Sequence, residues 1–234
     1  MKILKKKISS YKNYLNFKDK LNNNEVSVIA EIKKASPSAG IIVENYDPKA
    51  IAKQYLDSGA SCLSILTEEN YFKGKLEHID EVKKEVKLPV LCKDFFIDPF
   101  QVYLARSYGA DSILIILAGV TEKTANQLYE NALKLNMSVV VEVHTKEEAK
   151  NSIQFAEALI GINNRNLKTL KTNMNTTFDI HEVLINHKGP LISESGIQTK
   201  DELLEIDKKT RIQTFLIGES LLKNSNNNSI FSVL

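Results

Sequence analysis

Two kinds of apolar pattern alternate along the chain. Short runs of β-branched and other apolar residues are typical of buried strands, and longer segments with an apolar residue every three or four positions are typical of helices. The strand pattern occurs eight times, at residues 26–33, 61–67, 89–95, 112–118, 138–144, 159–163, 190–194 and 215–218. The helical pattern lies between these runs, at residues 48–58, 76–86, 99–108, 122–135, 146–155, 177–185 and 200–208. The alternation predicts a series of βα units.

The strand runs are apolar throughout, which predicts a parallel sheet with helices over its outer surface. Eight βα units in series close more readily into a barrel than into an open doubly wound sheet, which is the alternative. The 234 residues are close to the roughly 250 of a typical barrel of this kind. We therefore predict the α/β class and a single-domain (β/α)8 TIM barrel. Residues 1–25 are expected to form a short N-terminal helical extension, and residues 26–234 the barrel catalytic domain.

Capping signals indicate where several helices begin and end. Asp98 before Pro99 predicts an N-cap followed by a proline in the first turn, and Thr145 with Glu148 predicts a capping box. Gly109 is placed to end the preceding helix. These signals agree with the apolar pattern on the positions of the helices.

Composition restricts the class of protein. Hydrophobic residues make up 43% of the chain and charged residues 26%, which suffices for a sizeable core and a charged surface. The net charge of +2 provides no basic face for nucleic acid. No segment has the length of a transmembrane helix or the apolar core of a signal peptide. We therefore expect no nucleic-acid partner, no membrane partner and a cytoplasmic protein.

The placement of cysteine and histidine argues against a metal centre. Cys62 and Cys92 lie in separate apolar runs, which favours buried thiols in a reducing compartment over a disulfide. The four histidines show no spacing typical of metal ligands. No metal and no other cofactor is expected.

Polar residues occur where a barrel carries its chemistry. The active site of such a barrel lies at the C-terminal ends of the strands, so polar residues at those ends are candidates. A charge buried there without a function would be costly, which favours a functional role for Lys93 and Glu142. The candidates are Glu31, Lys33, Lys93, Glu142, Asn163, Arg165, Glu194, Ser195, Gly196, Gly218 and Glu219.

Glycines in the last two loops indicate the class of substrate. Backbone N–H groups after strands seven and eight of a barrel often hold a phosphate, and Gly196 and Gly218 allow the backbone to approach it closely. A phosphorylated small molecule is therefore the expected partner. For Glu68, Asp94 and Glu219, the favoured interpretation is an ion pair that only stabilises the mouth.

Other residues near the strand ends have simpler interpretations. Ser36 precedes Pro37, and a Ser-Pro pair favours a turn whether or not it binds a ligand. His144, at the end of the fifth strand run, is expected to be a loop residue. Tyr71, Phe72 and Phe95 are expected to be packing residues rather than chemical ones, although an aromatic ring near the mouth could also line a site for an aromatic substrate.

Six segments, in chain order, carry a longer signature. They are A-E-I-K-K-A-S-P-S-A-G at 30–40, V-L-C-K-D-F at 90–95, V-V-E-V-H at 140–144, G-I-N-N-R-N-L at 161–167, S-E-S-G-I at 193–197 and L-I-G-E-S-L at 216–221. Together they resemble the indole-3-glycerol phosphate synthase family and cover most of the predicted barrel. The resemblance implies a carboxy-lyase of tryptophan biosynthesis. Its substrate would be 1-(2-carboxyphenylamino)-1-deoxyribulose 5-phosphate, which undergoes ring closure, decarboxylation and dehydration to indole-3-glycerol phosphate.

The resemblance also implies roles for the charged residues. Lys93 would be the general acid at the substrate ketone. Lys33 would hold the carboxylate that is lost as CO₂, or donate a proton in the dehydration. Glu31 and Glu142 would handle protons and stabilise the cationic intermediate, with Asn163 as a hydrogen-bonding partner. Burial and the neighbouring charge of Lys33 are expected to lower the pKa of Lys93.

A second group of residues would bind the rest of the substrate. The residues that match phosphate contacts of the family are Ser36, Ser195, Gly196 and Gly218. The residues that match the wall of the pocket are Arg165, Leu167 and Glu194. Glu219, which follows Gly218, is counted with this substrate-binding group.

Two alternatives stay open. A related phosphosugar barrel, such as phosphoribosylanthranilate isomerase, would need a Cys/Asp acid–base pair at strand ends one and five, where Lys33 and Glu142 stand instead. A non-catalytic barrel that docks on another tryptophan-pathway enzyme would have no reason to keep these charges. The 25 residues before the first strand are shorter than the extension usual in the family. We expect a monomer or weak homodimer, with contact to other tryptophan-pathway enzymes left open.

Overall fold

The computed structural model describes residues 1–21, 25–223 and 228–232, and it contains the closed barrel that the sequence predicts. Eight parallel strands form it: β1 (Ser27–Ile32), β2 (Cys62–Leu66), β3 (Val90–Lys93), β4 (Ser112–Ile116), β5 (Ser138–Val143), β6 (Leu159–Asn163), β7 (Leu191–Glu194) and β8 (Thr214–Ile217). The barrel closes where β1 pairs with β8, from Ser27 opposite Thr214 to Ala30 opposite Ile217. The open-sheet alternative is therefore wrong.

Helices cover the outside of the barrel. They are α1 (Lys2–Ser10), α2 (Phe17–Lys20), α3 (Pro48–Asp57), α4 (Glu77–Glu85), α5 (Pro99–Ser107), α6 (Glu122–Lys134), α7 (Lys146–Ser152), α8 (Asn175–Leu184), α9 (Lys200–Thr210), α10 (Glu219–Lys223) and α11 (Asn228–Phe231). Asp98 and Gln101 form a capping box at the start of α5. Only half of the capping box predicted at Thr145 forms. Thr145 Oγ1 accepts the backbone N–H of Glu148 at 3.1 Å, but the Glu148 carboxylate accepts the backbone N–H of His144, at 2.8 Å, rather than that of Thr145.

Alternating side chains along the strands fill the barrel and place polar groups at its mouth. The interior apolar cluster consists of Phe17, Leu21, Ile29, Cys62, Leu91, Leu114, Val140, Leu159, Ile192 and Leu216. Because successive side chains of a strand point to opposite faces, residues two or four positions further along point inward as well. Those positions carry Glu31, Lys93, Glu142, Asn163 and Glu194. The alternation that builds the core thus also directs these polar side chains into the C-terminal mouth.

The N-terminal segment closes the opposite end of the barrel. Phe17 of α2 is completely buried in the interior cluster. The backbone N–H of Leu15 donates to Asp111 Oδ1 at 2.7 Å, just before β4, and that of Lys18 donates to Ser138 Oγ at 3.1 Å, at the start of β5. This segment therefore stabilises the base of the barrel. Residues 22–24 lie outside those described, so the domain boundary at residue 25 stays a prediction.

A buried ion cluster anchors this base. Lys83 Nζ donates to Asp111 Oδ2 at 2.6 Å, and Arg106 Nη1 lies 3.7 Å from Oδ1. The same carboxylate accepts the backbone N–H of Val90 at 3.0 Å. Burial raises the pKa of Asp111 and lowers that of Lys83, because each charge has lost its contact with water. The buried charges of Lys83 and Asp111 therefore depend on their contact with each other.

The described residues also bear on the predicted thiols and on partners. Cys62 and Cys92 are free and buried, as predicted. Within the described part of the chain, no helix is both long and apolar enough to cross a membrane. The same residues contain no group of three or more His, Cys, Asp or Glu side chains that could hold a metal ion.

Candidate active site

Lys93 links three strands at the mouth of the barrel. It ends β3, and its Nζ donates to Glu142 Oε2 on β5 at 2.9 Å and to Glu194 Oε2 on β7 at 2.7 Å. Both carboxylates are almost completely buried, and Lys93 is largely buried. The fold thus brings together three of the predicted residues, which are far apart in sequence.

Lys33 and Glu31 form a second pair beside Lys93. Lys33 Nζ lies 2.5 Å from Glu31 Oε1, and both side chains are largely buried. Gly218 follows β8 and lies against this carboxylate, where an added Cβ would come within 2.5 Å of Oε1. A side chain at this position would therefore press on Glu31. A backbone contact of Gly218 with phosphate stays a prediction.

The surrounding carboxylates determine the charge of Lys93. Burial by itself would lower the pKa of this ammonium group, but the negative charges of Glu142, Glu194 and Glu31 outweigh burial and hold the pKa well above its usual value. The lowered pKa predicted from the sequence is therefore wrong. That prediction counted burial and the second lysine, whereas the ammonium group is in direct contact with two carboxylates.

The two carboxylates on Lys93 differ in their own titration. Burial disfavours the charged form of Glu142, but Lys93 and His144 outweigh it and hold the Glu142 pKa far below its usual range. Burial, with the charge of Glu142, raises the pKa of Glu194 to about 7 despite the contact with Lys93. Glu194 Oε1 is buried and has no hydrogen-bond partner among the described residues. The surroundings thus favour the charged form of Glu142 and disfavour the charged form of Glu194.

Asn163 holds Glu142 from the end of β6. Its Nδ2 donates to Glu142 Oε1 at 3.0 Å, and its Oδ1 accepts the backbone N–H of Arg165 at 2.9 Å. The contact with Arg165 thus orients the side-chain amide so that its Nδ2 donates to Glu142. Asn163 lies where the sequence predicts it, next to a site glutamate.

A tight turn follows β7. Ser195 and Gly196 both have left-handed backbone conformations, with φ of 67° and 88°. Asn164, which is buried, donates from Nδ2 to the Ser195 carbonyl oxygen at 3.1 Å and so fixes the turn. The sequence analysis did not single out Asn164, and the only signal for it is the repeated asparagine in G-I-N-N-R-N-L.

Arg165 connects three loops around the mouth. Its Nη1 donates to the Leu170 carbonyl oxygen at 2.8 Å and to Ser38 Oγ at 3.3 Å, and its Nη2 lies 3.9 Å from Glu219 Oε2. Glu219 makes a closer ion pair with Lys223 on α10, at 2.6 Å. The ion-pair interpretation of Glu219 is therefore confirmed, while contact with a substrate stays a prediction.

Two predicted residues lie apart from the buried charges. Ser36 is buried, and its Oγ accepts the backbone N–H of Ala39 at 3.2 Å inside the hairpin that follows β1. This hydrogen bond lies within the turn that the Ser-Pro pair predicts. Leu167 is 46% exposed in the loop after β6, so it is not part of the buried cluster around Lys93.

The loops after β2 and β3 correct several expectations. Glu68 accepts three backbone N–H groups of its own loop, at 2.7 to 3.1 Å, and Asp94 accepts the Thr67 hydroxyl at 2.5 Å. Neither carboxylate forms an ion pair within the described residues, so that interpretation is wrong for both. Tyr71 is 66% exposed and Phe95 49%, so neither ring belongs to the core. Both rings stand on loops of the mouth.

His144 is a functional candidate that the sequence analysis missed. It follows β5 as expected of a loop residue, but its ring turns toward the site, with Nε2 at 3.1 Å from Glu142 Oε1. A strand pattern does not indicate which way the residue just beyond the strand points.

Comparisons with known proteins identify the family of the chain. Residues 1–233 match the family model described as indole-3-glycerol phosphate synthase. An indole-3-glycerol phosphate synthase of Desulforamulus reducens is 41% identical over 220 residues, which cover 94% of this chain and 83% of that protein. One of Bordetella pertussis is 42% identical over 205 residues, covering 88% of this chain and 78% of that protein.

Solved structures at low identity share the fold alone. A 3-hexulose-6-phosphate synthase from Salmonella typhimurium has a TM-score of 0.68 at 12% identity, covering 89% of this chain and 98% of that one. A phosphoribosylanthranilate isomerase from Thermotoga maritima has a TM-score of 0.60 at 10% identity, covering 89% and 96%. The family match and the curated relatives decide the assignment, and this chain belongs to the indole-3-glycerol phosphate synthase family.

Proposed function

We propose that this chain is the carboxy-lyase that converts 1-(2-carboxyphenylamino)-1-deoxyribulose 5-phosphate to indole-3-glycerol phosphate in tryptophan biosynthesis. The observation that carries the proposal is Lys93, an ammonium group held at the mouth of the barrel between two buried carboxylates from other strands. Family membership names the reaction. The charges at the mouth meet its chemical demands.

Ring closure needs an acid at the ketone oxygen. A carbon of the anthranilate ring bonds to the ketone carbon, and the electron pair of the C=O bond moves to oxygen, which takes up a proton. Lys93 supplies this proton, since the carboxylates around it keep its ammonium group charged at neutral pH. A fixed ammonium group also stabilises negative charge as it develops on the oxygen.

Decarboxylation and dehydration need control of positive charge. Closure leaves an iminium cation, and departure of CO₂ returns the electrons of the broken C–C bond to the ring system. Loss of the hydroxyl as water then consumes a proton, and the ring loses another. Glu142 and Glu31 stabilise the cation. Lys33, paired with Glu31, binds the departing carboxylate or protonates the hydroxyl.

The loops of the mouth bind the rest of the substrate. The proposed phosphate contacts are Ser36, Ser195, Gly196 and Gly218. The proposed walls of the pocket are Arg165, Leu167, Glu194 and Glu219. The rings of Phe72 and Phe95, whose centroids lie 6.5 Å apart, are suited to contact the anthranilate ring. The loops would thus contact the phosphate group of the substrate, and the two rings would contact its aromatic group.

We further propose a monomer or weak homodimer in the cytoplasm. The two free, buried thiols suit a reducing compartment. Sedimentation of the purified protein over a wide concentration range tests the oligomeric state, and a tight dimer at the lowest concentration would contradict it. Adding other tryptophan-pathway enzymes in the same measurement tests for contact with them.

Two substrates offered in parallel test the activity. We expect the chain to release one CO₂ for each indole formed from the carboxyphenylamino-deoxyribulose phosphate. Indole fluorescence measures the formation of the product. We expect no change in phosphoribosylanthranilate, because strand ends one and five carry Lys33 and Glu142 rather than a Cys/Asp pair. A folded chain that binds the first substrate without forming indole would support a non-catalytic barrel. Conversion of the second would support the isomerase.

A further inference from the structure

The imidazole ring of His144 lies between two carboxylates. Its Nε2 is 3.1 Å from Glu142 Oε1 in the site, and its Nδ1 is 3.3 Å from Glu148 Oε2 on α7. The Nε2 contact lies within ion-pair distance but does not have the geometry of a hydrogen bond. The ring is 9% exposed. It therefore connects the buried site with a helix on the outside of the barrel.

Glu148 is itself held in place. Its Oε2 accepts the backbone N–H of His144 at 2.8 Å, and its own backbone N–H donates to Thr145 Oγ1 at 3.1 Å. A neutral imidazole has one nitrogen that donates and one that accepts, so one carboxylate would face a lone pair. An imidazolium carries an N–H on both nitrogens, so neither carboxylate faces a lone pair. The geometry therefore favours the charged ring.

The charge balance of the site points the same way. Glu142 is almost completely buried and shares the ammonium group of Lys93 with Glu194. A buried charge without a full partner is costly, so a second cation next to Glu142 stabilises the arrangement. Glu148, with 21% of its side chain exposed, neutralises that cation from the outer side.

We propose that His144 is a positioning residue, an imidazolium clamped between Glu142 and Glu148. It holds Glu142 ionised and in place for the contacts with Lys93 and Asn163. The inference rests on the proposed function, in which Glu142 acts as an anion. His144 does not itself touch the reacting atoms.

Among the charged groups around this clamp, Glu142 and Glu148 determine the charge of the His144 ring. The 3-10 turn Leu117–Gly119, which packs against β5 and α7, has no titratable side chain. On α8, Glu182 lies 3.5 Å from Lys146, and on α6, Glu122 lines the same surface cavity as Glu148. Burial opposes protonation of the ring, but the two clamp carboxylates outweigh it and raise the pKa of His144 to about 9.

NMR of the ring nitrogens in histidine-labelled protein tests the charge state, with His144→Gln identifying the signal. We expect both nitrogens to be protonated at neutral pH and the ring to titrate near pH 9. Glu148→Gln should lower that titration by at least about one pH unit. The matched control Glu147→Gln, on an exposed residue of the same helix, should leave it unchanged. A ring that is neutral at pH 7 in the wild type overturns the proposal.

Two variants separate the contacts of the clamp. His144→Gln places an amide N–H near the position of Nε2 and keeps a donor to Glu142, whereas His144→Asn places it near Nδ1 and keeps a donor only to Glu148. We expect kcat to fall roughly tenfold in His144→Asn and less in His144→Gln, with KM little changed. The wild type should lose kcat above about pH 9, and both variants should lack that decline.

Identical kcat values and pH profiles in all three proteins would overturn the proposal. A wild type that forms no indole contradicts the proposed function, while the NMR titration still tests the clamp. A wild type with normal turnover and a neutral His144 at pH 7 contradicts the clamp alone.

Discussion

Gly161 on β6 has no room for a side chain. An added Cβ would overlap Glu194 Oε1, and it would come within 3.1 Å of Glu194 Cδ and 3.3 Å of Val140 Cγ1. On its other side Glu194 is held by the 2.7 Å hydrogen bond from Lys93. Gly161→Ala should therefore push the Glu194 carboxylate away and weaken or break its contact with Lys93.

The size of this effect follows from the kind of obstacle. Extra atoms in a filled interior cost about 1–3 kcal/mol of stability. The obstacle here is the end of a side chain rather than backbone, so movement of Glu194 limits the clash. The same movement removes one of the two carboxylates that contact Lys93. We expect Gly161→Ala to lose about 2 kcal/mol in the free energy of unfolding, together with part of its activity.

A double-mutant cycle isolates the clash. In Glu194→Ala the obstructing carboxylate is absent, so adding Gly161→Ala should cost less than about 0.5 kcal/mol. Urea unfolding of the four proteins gives the free energies, provided that the m-values agree. Gly119→Ala is the control, since the nearest atom lies 3.9 Å from the new Cβ. The same cost of Gly161→Ala in both backgrounds would refute the role of Glu194.

Other parts of the structure make predictions of their own. Asp111→Asn should lower the free energy of unfolding by about 3–5 kcal/mol, because Lys83 stays buried without its counter-ion; a urea titration that matches the wild type would contradict this. Cys62 and Cys92 should resist thiol labelling until the chain unfolds, because burial raises the pKa of both; rapid labelling of the folded protein would count against it. The pKa of His144 in the folded protein is about 9, above its ordinary 6.5. The stabilisation that the charged ring gives to the folded state is therefore complete below pH 6.5 and is lost as the pH rises through 9. The difference in unfolding free energy between wild type and His144→Gln should shrink over that interval, and a constant difference would refute the assignment.

The barrel was predictable from the sequence because its signals are local. Each strand is buried on both faces and therefore appears as a short apolar run. The run at 159–163 coincides with β6, and the other strands differ from the prediction by one or two residues at their ends. Period-two alternation then indicates that Glu142 shares a face with Val140. The location of the charged residues at the mouth follows from the same pattern.

Interactions between distant segments could not be predicted in this way. The base of the barrel depends on contacts of Leu15 and Phe17 with strands far along the chain, and the first 25 residues have only weak periodicity. The charge of Lys93 likewise depends on distances across the mouth, which the sequence does not contain. His144 lies one residue beyond its strand, where alternation no longer fixes the direction of the side chain.

The most direct measurement compares indole formation by Lys93→Ala with that by Lys53→Ala, which removes an exposed lysine from α3. Lys93→Ala should bind the carboxyphenylamino-deoxyribulose phosphate but lose roughly 10²–10⁴-fold in kcat, because the acid at the ketone oxygen is gone. Lys53→Ala should retain the activity of the wild type. Indole formation at an undiminished rate in folded Lys93→Ala would contradict the central role given to this lysine.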